Sequence, residues 1–146
     1  MSVLDELADF DRENLILSPI AVIDLVGKAD GKLERKEIQQ AVEVIRNTHN
    51  RADPFMGEIY SATLEKIDTL LDHYRQQALN CDQVIDESRK AIEQNLPQYL
   101  VTFQQALYNL GYEIADASGM IPIGNVNVPE EKALARLKAH LYVHTL

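Results

Sequence analysis

The sequence predicts an all-α protein: one domain over residues 1–146, built as a helical bundle of six to seven helices. Three observations carry that prediction. Apolar residues recur at three- and four-residue steps through most of the chain. Helix-opening signals recur at Ser18-Pro19, Asp53-Pro54, Pro97 and Pro129, where a capping side chain, a proline, or both mark a first turn. Strand punctuation does not recur, and no linker is long enough to split the chain into domains. At 146 residues, 46% hydrophobic and 25% charged, the composition is that of an ordinary globular protein. A chain of this length buries about two-thirds of its unfolded surface.

The elements follow in order. A short helix over about Val3 to Phe10 has an acidic outer side, and residues 1–14 read as an acidic segment loosely attached to the rest. Ser18-Pro19 opens the next helix, with Ile20, Ile23 and Val26 at three-residue steps, and Asp30-Gly31 stops it. A helix from about Glu34 to Asn47 puts Ile38, Ala41, Val42 and Ile45 on one face. Asp53-Pro54 starts a stripe of Ile59, Ala62, Thr63, Ile67, Leu70, Leu71 and Tyr74, sustained to about Ala78 with a break near Gly57. Val84, Ile85, Ser88 and Ile92 form the apolar side of a segment from Asp82 to Leu96. Pro97 opens a helix whose inner side is Leu100, Phe103, Ala106, Leu107, Leu110 and Ile114; having the fewest charges, it is expected at the centre of the bundle. The Gly-, Asn- and Pro-rich stretch from Asp116 to Val128 reads as a loop, in which Ile121 and Val126 could pair briefly as extended segments without making a sheet. Pro129 starts the last helix, with Leu134, Leu137 and Leu141 facing inward.

Charge and cysteine content narrow the classes of function. Twenty-three acidic against 14 basic residues leave a formal charge of −9. That balance opposes nucleic-acid phosphates and anionic lipid headgroups, and suits a cation or a basic protein as partner. Cys81 is alone, so neither an intramolecular disulfide nor a CxxC pair is available. The start, Met-Ser-Val-Leu-Asp-Glu, has neither a basic nor an apolar leader region, so no signal peptide is expected. The longest uncharged run, Gln94 to Tyr112, is interrupted by Gln98, Thr102, Gln105 and Asn109 as a polar stripe, which a membrane span does not tolerate. A cytoplasmic location without a transmembrane segment is the expectation.

One device occurs twice. Ala29-Asp30-Gly31-Lys32-Leu33 leads into Glu37, and Ala115-Asp116 leads through Gly119 into Glu131. In each, a helix ends in Ala-Asp, a glycine permits a turn, and a new helix opens with a glutamate near its first turn. Carboxylate oxygens gathered at helix ends suit a hard divalent cation. Asp30-Gly31-x-Leu33-x-x-x-Glu37 matches the back half of an EF-hand loop, but the front ligand positions fall on Val26 and Lys28. A complete EF-hand is thereby rejected, and a metal site would need Asp30, Glu37, Asp116 and Glu131 together. At about 100° per residue, Glu37 and Glu131 border the apolar stripes of their helices, where they could meet across a helix seam. The competing explanation is helix punctuation: Asp-Gly is a standard turn, and glutamate in a first turn is favoured by the helix dipole.

On these two signatures the chain resembles the tellurite-resistance TerB family, over about Leu15 to Leu141. The resemblance implies a helical domain with a divalent-cation-binding acidic site, active in tellurite resistance and wider chemical-stress responses. Carried over singly, the first signature's aspartate and glutamate fall on Asp30 and Glu37, and the second's on Asp116 and Glu131. This chain departs from the pattern at Glu34, where such helices begin with Ser or Thr, and in the long Ile121 to Val128 loop of the second signature.

Other constellations point to no reaction. His140 and His144 have the one-turn spacing of two zinc ligands, but without a third ligand nearby they read as helix-end residues. Cys81 reads as a packed thiol, since no base or orienting group can be assigned to it. The cluster Lys28, Lys32, Arg35 and Lys36 is interleaved with acids, and the six glycines are scattered rather than gathered into a phosphate loop. Tyr60, Tyr74, Tyr99, Tyr108 and Tyr112 read as core-edge packing. The leading expectation is a non-enzymatic domain binding a divalent cation or a basic protein partner through Asp30, Glu37, Asp116 and Glu131. The alternatives are a metal-free acidic docking scaffold and a metal-dependent enzyme; the di-iron form of the latter lacks its Glu-x-x-His motifs.

Overall fold

Seven α-helices, with short 3-10 turns at Val3–Glu6 and Pro97–Tyr99, make up the computed structural model, which describes residues 3–27, 35–76, 80–117 and 128–141. The helices are α1 (Asp9–Gly27), α2 (Arg35–His49), α3 (Pro54–Glu65), α4 (Ile67–Gln76), α5 (Cys81–Asn95), α6 (Leu100–Ala117) and α7 (Val128–Leu141). Among the described residues there is no strand, and no helix is long and apolar enough to cross a membrane.

The first departure from expectation is α1. Ser18-Pro19 does not open a helix; α1 begins at Asp9 and runs through Pro19 without ending. Proline lacks an N–H, so the carbonyl of Leu15, four residues back, loses its usual donor. Ser18 supplies a replacement, its Oγ donating to the Leu15 carbonyl at 2.7 Å inside the core. The serine that resembles a cap is therefore a repair within the helix.

The second departure is which helix lies at the centre. Nearly every residue of α1 from Leu15 to Val26 is buried, on all sides of the helix, which is the pattern of a core helix. α1 packs against all six other α-helices. α6 was expected there, yet its polar stripe faces outward: Gln105 and Asn109 are exposed and Thr102 is half-buried. Low charge in α6 reflects an uncharged surface rather than a central position.

The N-terminal segment, expected to attach loosely, sends Leu4 and Leu7 into the core. It forms a 3-10 turn and then the start of α1 in place of a separate helix over Val3 to Phe10.

Capping decides the other boundaries. Asp53 accepts from the N–H groups of Phe55 at 3.1 Å and Met56 at 3.4 Å, with Pro54 in the first turn. Gly57 stays helical because its N–H completes the first helical bond, to the Asp53 carbonyl at 2.8 Å. The break falls instead at Lys66 (φ −125°, ψ 30°), between α3 and α4. Thr63, buried in α3, lies within 2.7 Å of the Ile16 carbonyl and 2.9 Å of the Ile59 carbonyl, joining α3 to α1. Asn80 caps α5, its Oδ1 accepting from the Gln83 N–H at 3.2 Å. Past α5, Leu96 is buried and Tyr99 stacks flat on Phe55 with ring centroids 4.3 Å apart.

The buried stripes agree with the sequence periodicity. Ile38, Ala41, Val42 and Ile45 of α2 are all buried, as are Phe103, Leu107, Leu110 and Ile114 of α6 and Leu134, Leu137 and Leu141 of α7. Ile121 and Val126 lie outside the described residues.

Candidate functional site

α6 and α7 run antiparallel, and two contacts set their register. Gln104 Nε2 donates to the Leu141 carbonyl at 2.7 Å. Seven residues further along α6, Gly111 meets α7 at the level of Leu134 and Leu137. A Cβ at Gly111 would stand 2.6 Å from Leu137 Cδ2, so a larger residue here would push that buried leucine side chain aside. Pairing 104 with 141 and 111 with 134 brings Asp116 level with position 129. Glu131 is two residues from that level, about 3 Å along the axis. Both Asp116 and Glu131 are exposed. Gly111 also faces Val26, so α1 delivers its C-terminal turn toward the same end of the bundle.

The first signature is not brought in the same way. Asp30 lies outside the described residues. Glu37, half-buried in the first turn of α2, makes an interaction of its own. The end of α2 that touches α6 is the other one: Thr48 Oγ1 donates to Glu113 Oε2 at 2.9 Å, and Arg51 lies 3.2 Å from Glu113 Oε1. Glu37 is eleven residues earlier, about 16 Å along the helix. Glu37 and Glu131 were expected to be able to meet across a helix seam, but α2 and α7 do not pack extensively on one another; α6 contacts both instead. Among the described residues, no group of three His, Cys, Asp or Glu side chains is placed to share a metal ion.

A second polar constellation joins α1, α4, α5 and α7. Asp82 and Asp86, one turn apart on α5, face Arg136 and His140, one turn apart on α7. Arg136 pairs with Asp82. The His140 ring has Asp86 Oδ1 2.8 Å from Nδ1 and Asp82 Oδ1 3.3 Å from Nε2. Arg89, buried in α5, donates from Nε to the His140 carbonyl at 3.0 Å and pairs with Glu93 at 2.7 Å. It thereby satisfies one of the orphan carbonyls that every helix C-terminus leaves. Beside this seam, the Tyr74 hydroxyl donates to Asp24 Oδ2 at 3.0 Å. Sequence reasoning missed the seam, although acids and cations at matching one-turn intervals were visible. What could not be seen was that α5 and α7 face each other.

The seam does not make Cys81 a nucleophile. Burial pushes its thiol above the ordinary value, and the carboxylates of Asp82 and Asp24 push in the same direction. A reactive cysteine needs the opposite, a stabilised thiolate. His140 is held by carboxylates on both ring nitrogens, while His144 lies outside the described residues.

A groove of about 280 Å³ lies between α1, α3 and α4, floored by Ile16, Leu17 and Leu70 and rimmed by Glu13, Glu65 and Lys66. Leu17 is nine residues before Val26, about 14 Å along α1, so the groove is separate from the Asp116–Glu131 end.

Comparison with protein-family models, with curated proteins and with solved structures finds no match to this chain.

Proposed function

We propose that this chain is a non-enzymatic helical binding domain of TerB type, serving a tellurite- or chemical-stress response, whose acidic end captures a divalent cation or a basic partner protein. The α6–α7 register is the observation that supports this reading, because it leaves Asp116 and Glu131 at the same end of the helix pair, the end toward which α1 leads. Asp30 and Glu37 belong to the proposal through the signature resemblance and not through the α6–α7 register. The TerB assignment rests on the two Ala-Asp…Glu signatures alone. The non-enzymatic reading draws support from Cys81, whose thiol is held away from ionisation.

Thermal melting of chelator-treated protein with millimolar calcium, magnesium, manganese or zinc tests the cation. An ion in hundredfold excess over its Kd stabilises the native state by about 2.7 kcal/mol. Asp116→Asn with Glu131→Gln should abolish that gain. If no ion raises the melting temperature, the cation is removed. The basic partner is then tested with an oligolysine peptide, whose capture should weaken in the double variant and with rising salt. Failure of both ions and peptide to bind overturns the proposal.

A further inference from the structure

The C-terminal turns of α7 are held by polar side chains from two neighbouring helices. Arg89 of α5 takes the His140 carbonyl, and Gln104 of α6 takes the Leu141 carbonyl. Between these contacts the His140 ring stands between carboxylates from successive turns of α5, with Asp86 Oδ1 2.8 Å from Nδ1 and Asp82 Oδ1 3.3 Å from Nε2. A neutral imidazole carries one N–H and one bare lone pair. It can offer a proton to only one of the two carboxylates, and it turns the lone pair toward the other. Turning the ring over exchanges the nitrogens and leaves that count unchanged. The protonated ring presents an N–H to each carboxylate.

We propose that this site is a pH-operated latch: protonated His140 pins the C-terminal turn of α7 against α5, and loss of that proton loosens the turn. Charge balance supports the same direction. Arg136, one turn back on α7, pairs with Asp82, so the charged ring and Arg136 together match Asp82 and Asp86. With the ring neutral, one carboxylate is left over in a chain of formal charge −9. Asp24 of α1 and Cys81 of α5 act on the same Arg136 guanidinium, and Asp24 adds to the negative side. Arg89 is itself paired with Glu93. α6 brings no charge between Leu100 and Tyr112, and Lys138 lies about 200° round α7 from His140. His140 also stands in the last turn of α7, where the helix dipole favours a cation.

Burial lets these charges act. The ring is 27% exposed, and the Asp82 and Asp86 side chains 20% and 33%, so water screens the contacts only in part. The stability supplied by the latch is complete below the ordinary imidazole range, near 6.5, and is lost as pH rises beyond it. Glu131 is nine residues earlier on α7, about 14 Å along the axis. The latch therefore acts on how the helix is fastened, separately from the acidic end.

Urea unfolding of the full chain at about pH 6 and pH 8, with amide exchange resolved along α7, tests the proposal. From the lower to the higher pH, the unfolding constant of the wild type should rise roughly three- to tenfold more than that of His140→Gln. Asp86→Asn keeps the ring but removes one of its two carboxylates, and should shrink the response likewise. His73→Gln, on the exposed side of α4, should respond like the wild type. In the wild type itself, exchange corrected for its chemical rate should quicken over Leu137 to Leu141 more than over α2. Equal pH responses in the wild type and His140→Gln overturn the proposal. So does a full response in Asp86→Asn, its loss in His73→Gln, or opening over Leu137 to Leu141 no more pH-dependent than over α2.

Discussion

Replacing Ser18 with alanine should destabilise the protein by about 1–2 kcal/mol, and most of that cost should vanish when Pro19 is also alanine. Leu15 and Ser18 are both fully buried, so the Leu15 carbonyl has no access to water. Pro19 cannot donate to it, and the Ser18 hydroxyl does so at 2.7 Å. Removing the hydroxyl strands a buried acceptor, at a cost of about 1–3 kcal/mol. Alanine recovers a few tenths of a kcal/mol through its higher helix propensity. At about 2–4 °C per kcal/mol for a chain of this size, the net loss lowers Tm by about 2–8 °C. Alanine at position 19 restores an N–H four residues after Leu15, so Ser18→Ala in that background should cost no more than a few tenths of a kcal/mol. The double-mutant cycle therefore carries a coupling of about 1–2 kcal/mol, readable from urea unfolding followed by far-UV circular dichroism. Equal costs for Ser18→Ala with proline or alanine at position 19 would refute the repair role assigned to Ser18.

Arg89→Met should cost about 2–3 kcal/mol, since it removes charge-assisted bonds to the His140 carbonyl and Glu93 from a buried site; amide exchange should quicken most over Leu137 to Leu141, and uniform quickening along α7 would contradict a local role. High pH should reveal the buried phenols. Burial first, and then Glu113 and Asp53 for Tyr60 or Asp24 for Tyr74, hold both hydroxyls above the ordinary value of 10.0. Below pH 10 both states keep these protons; as pH rises past 10 only the unfolded chain ionises, so stability falls by up to about 1.4 kcal/mol per pH unit for each tyrosine. The Cys81 thiol, raised from 9.0, adds to the same decline. Urea midpoints measured between neutrality and pH 11 should show a shallower fall in Tyr74→Phe, and an unchanged slope would disprove the assignment.

Much of this fold was legible because helix formation is written in local terms. The three- and four-residue spacing of Ile38, Ala41, Val42 and Ile45 places them on one face before any partner is known, and all four are buried. Asp53-Pro54 caps a helix by contacts within its own first turn. Ser18-Pro19 carries the same local signal and means something else, because a proline can sit within a helix when a neighbour satisfies the freed carbonyl. Whether a cap signal opens a helix or mends one depends on the burial that surrounds it.

By itself, the sequence determined that the chain is helical, which faces are apolar, and that it carries an acidic excess bearing two Ala-Asp…Glu junctions. Tertiary structure alone decided that α1 rather than α6 is the central helix, since composition records how many charges a segment carries and not which way its uncharged side chains point. It decided that Asp116 and Glu131 share one end of the α6–α7 pair while Glu37 starts a helix whose other end reaches α6, because register across a helix pair is set by contacts such as Gln104 with Leu141 and Gly111 with Leu137. It also decided that Asp82 and Asp86 meet Arg136 and His140. Residues more than fifty positions apart carry no mark of one another until packing brings their helices together.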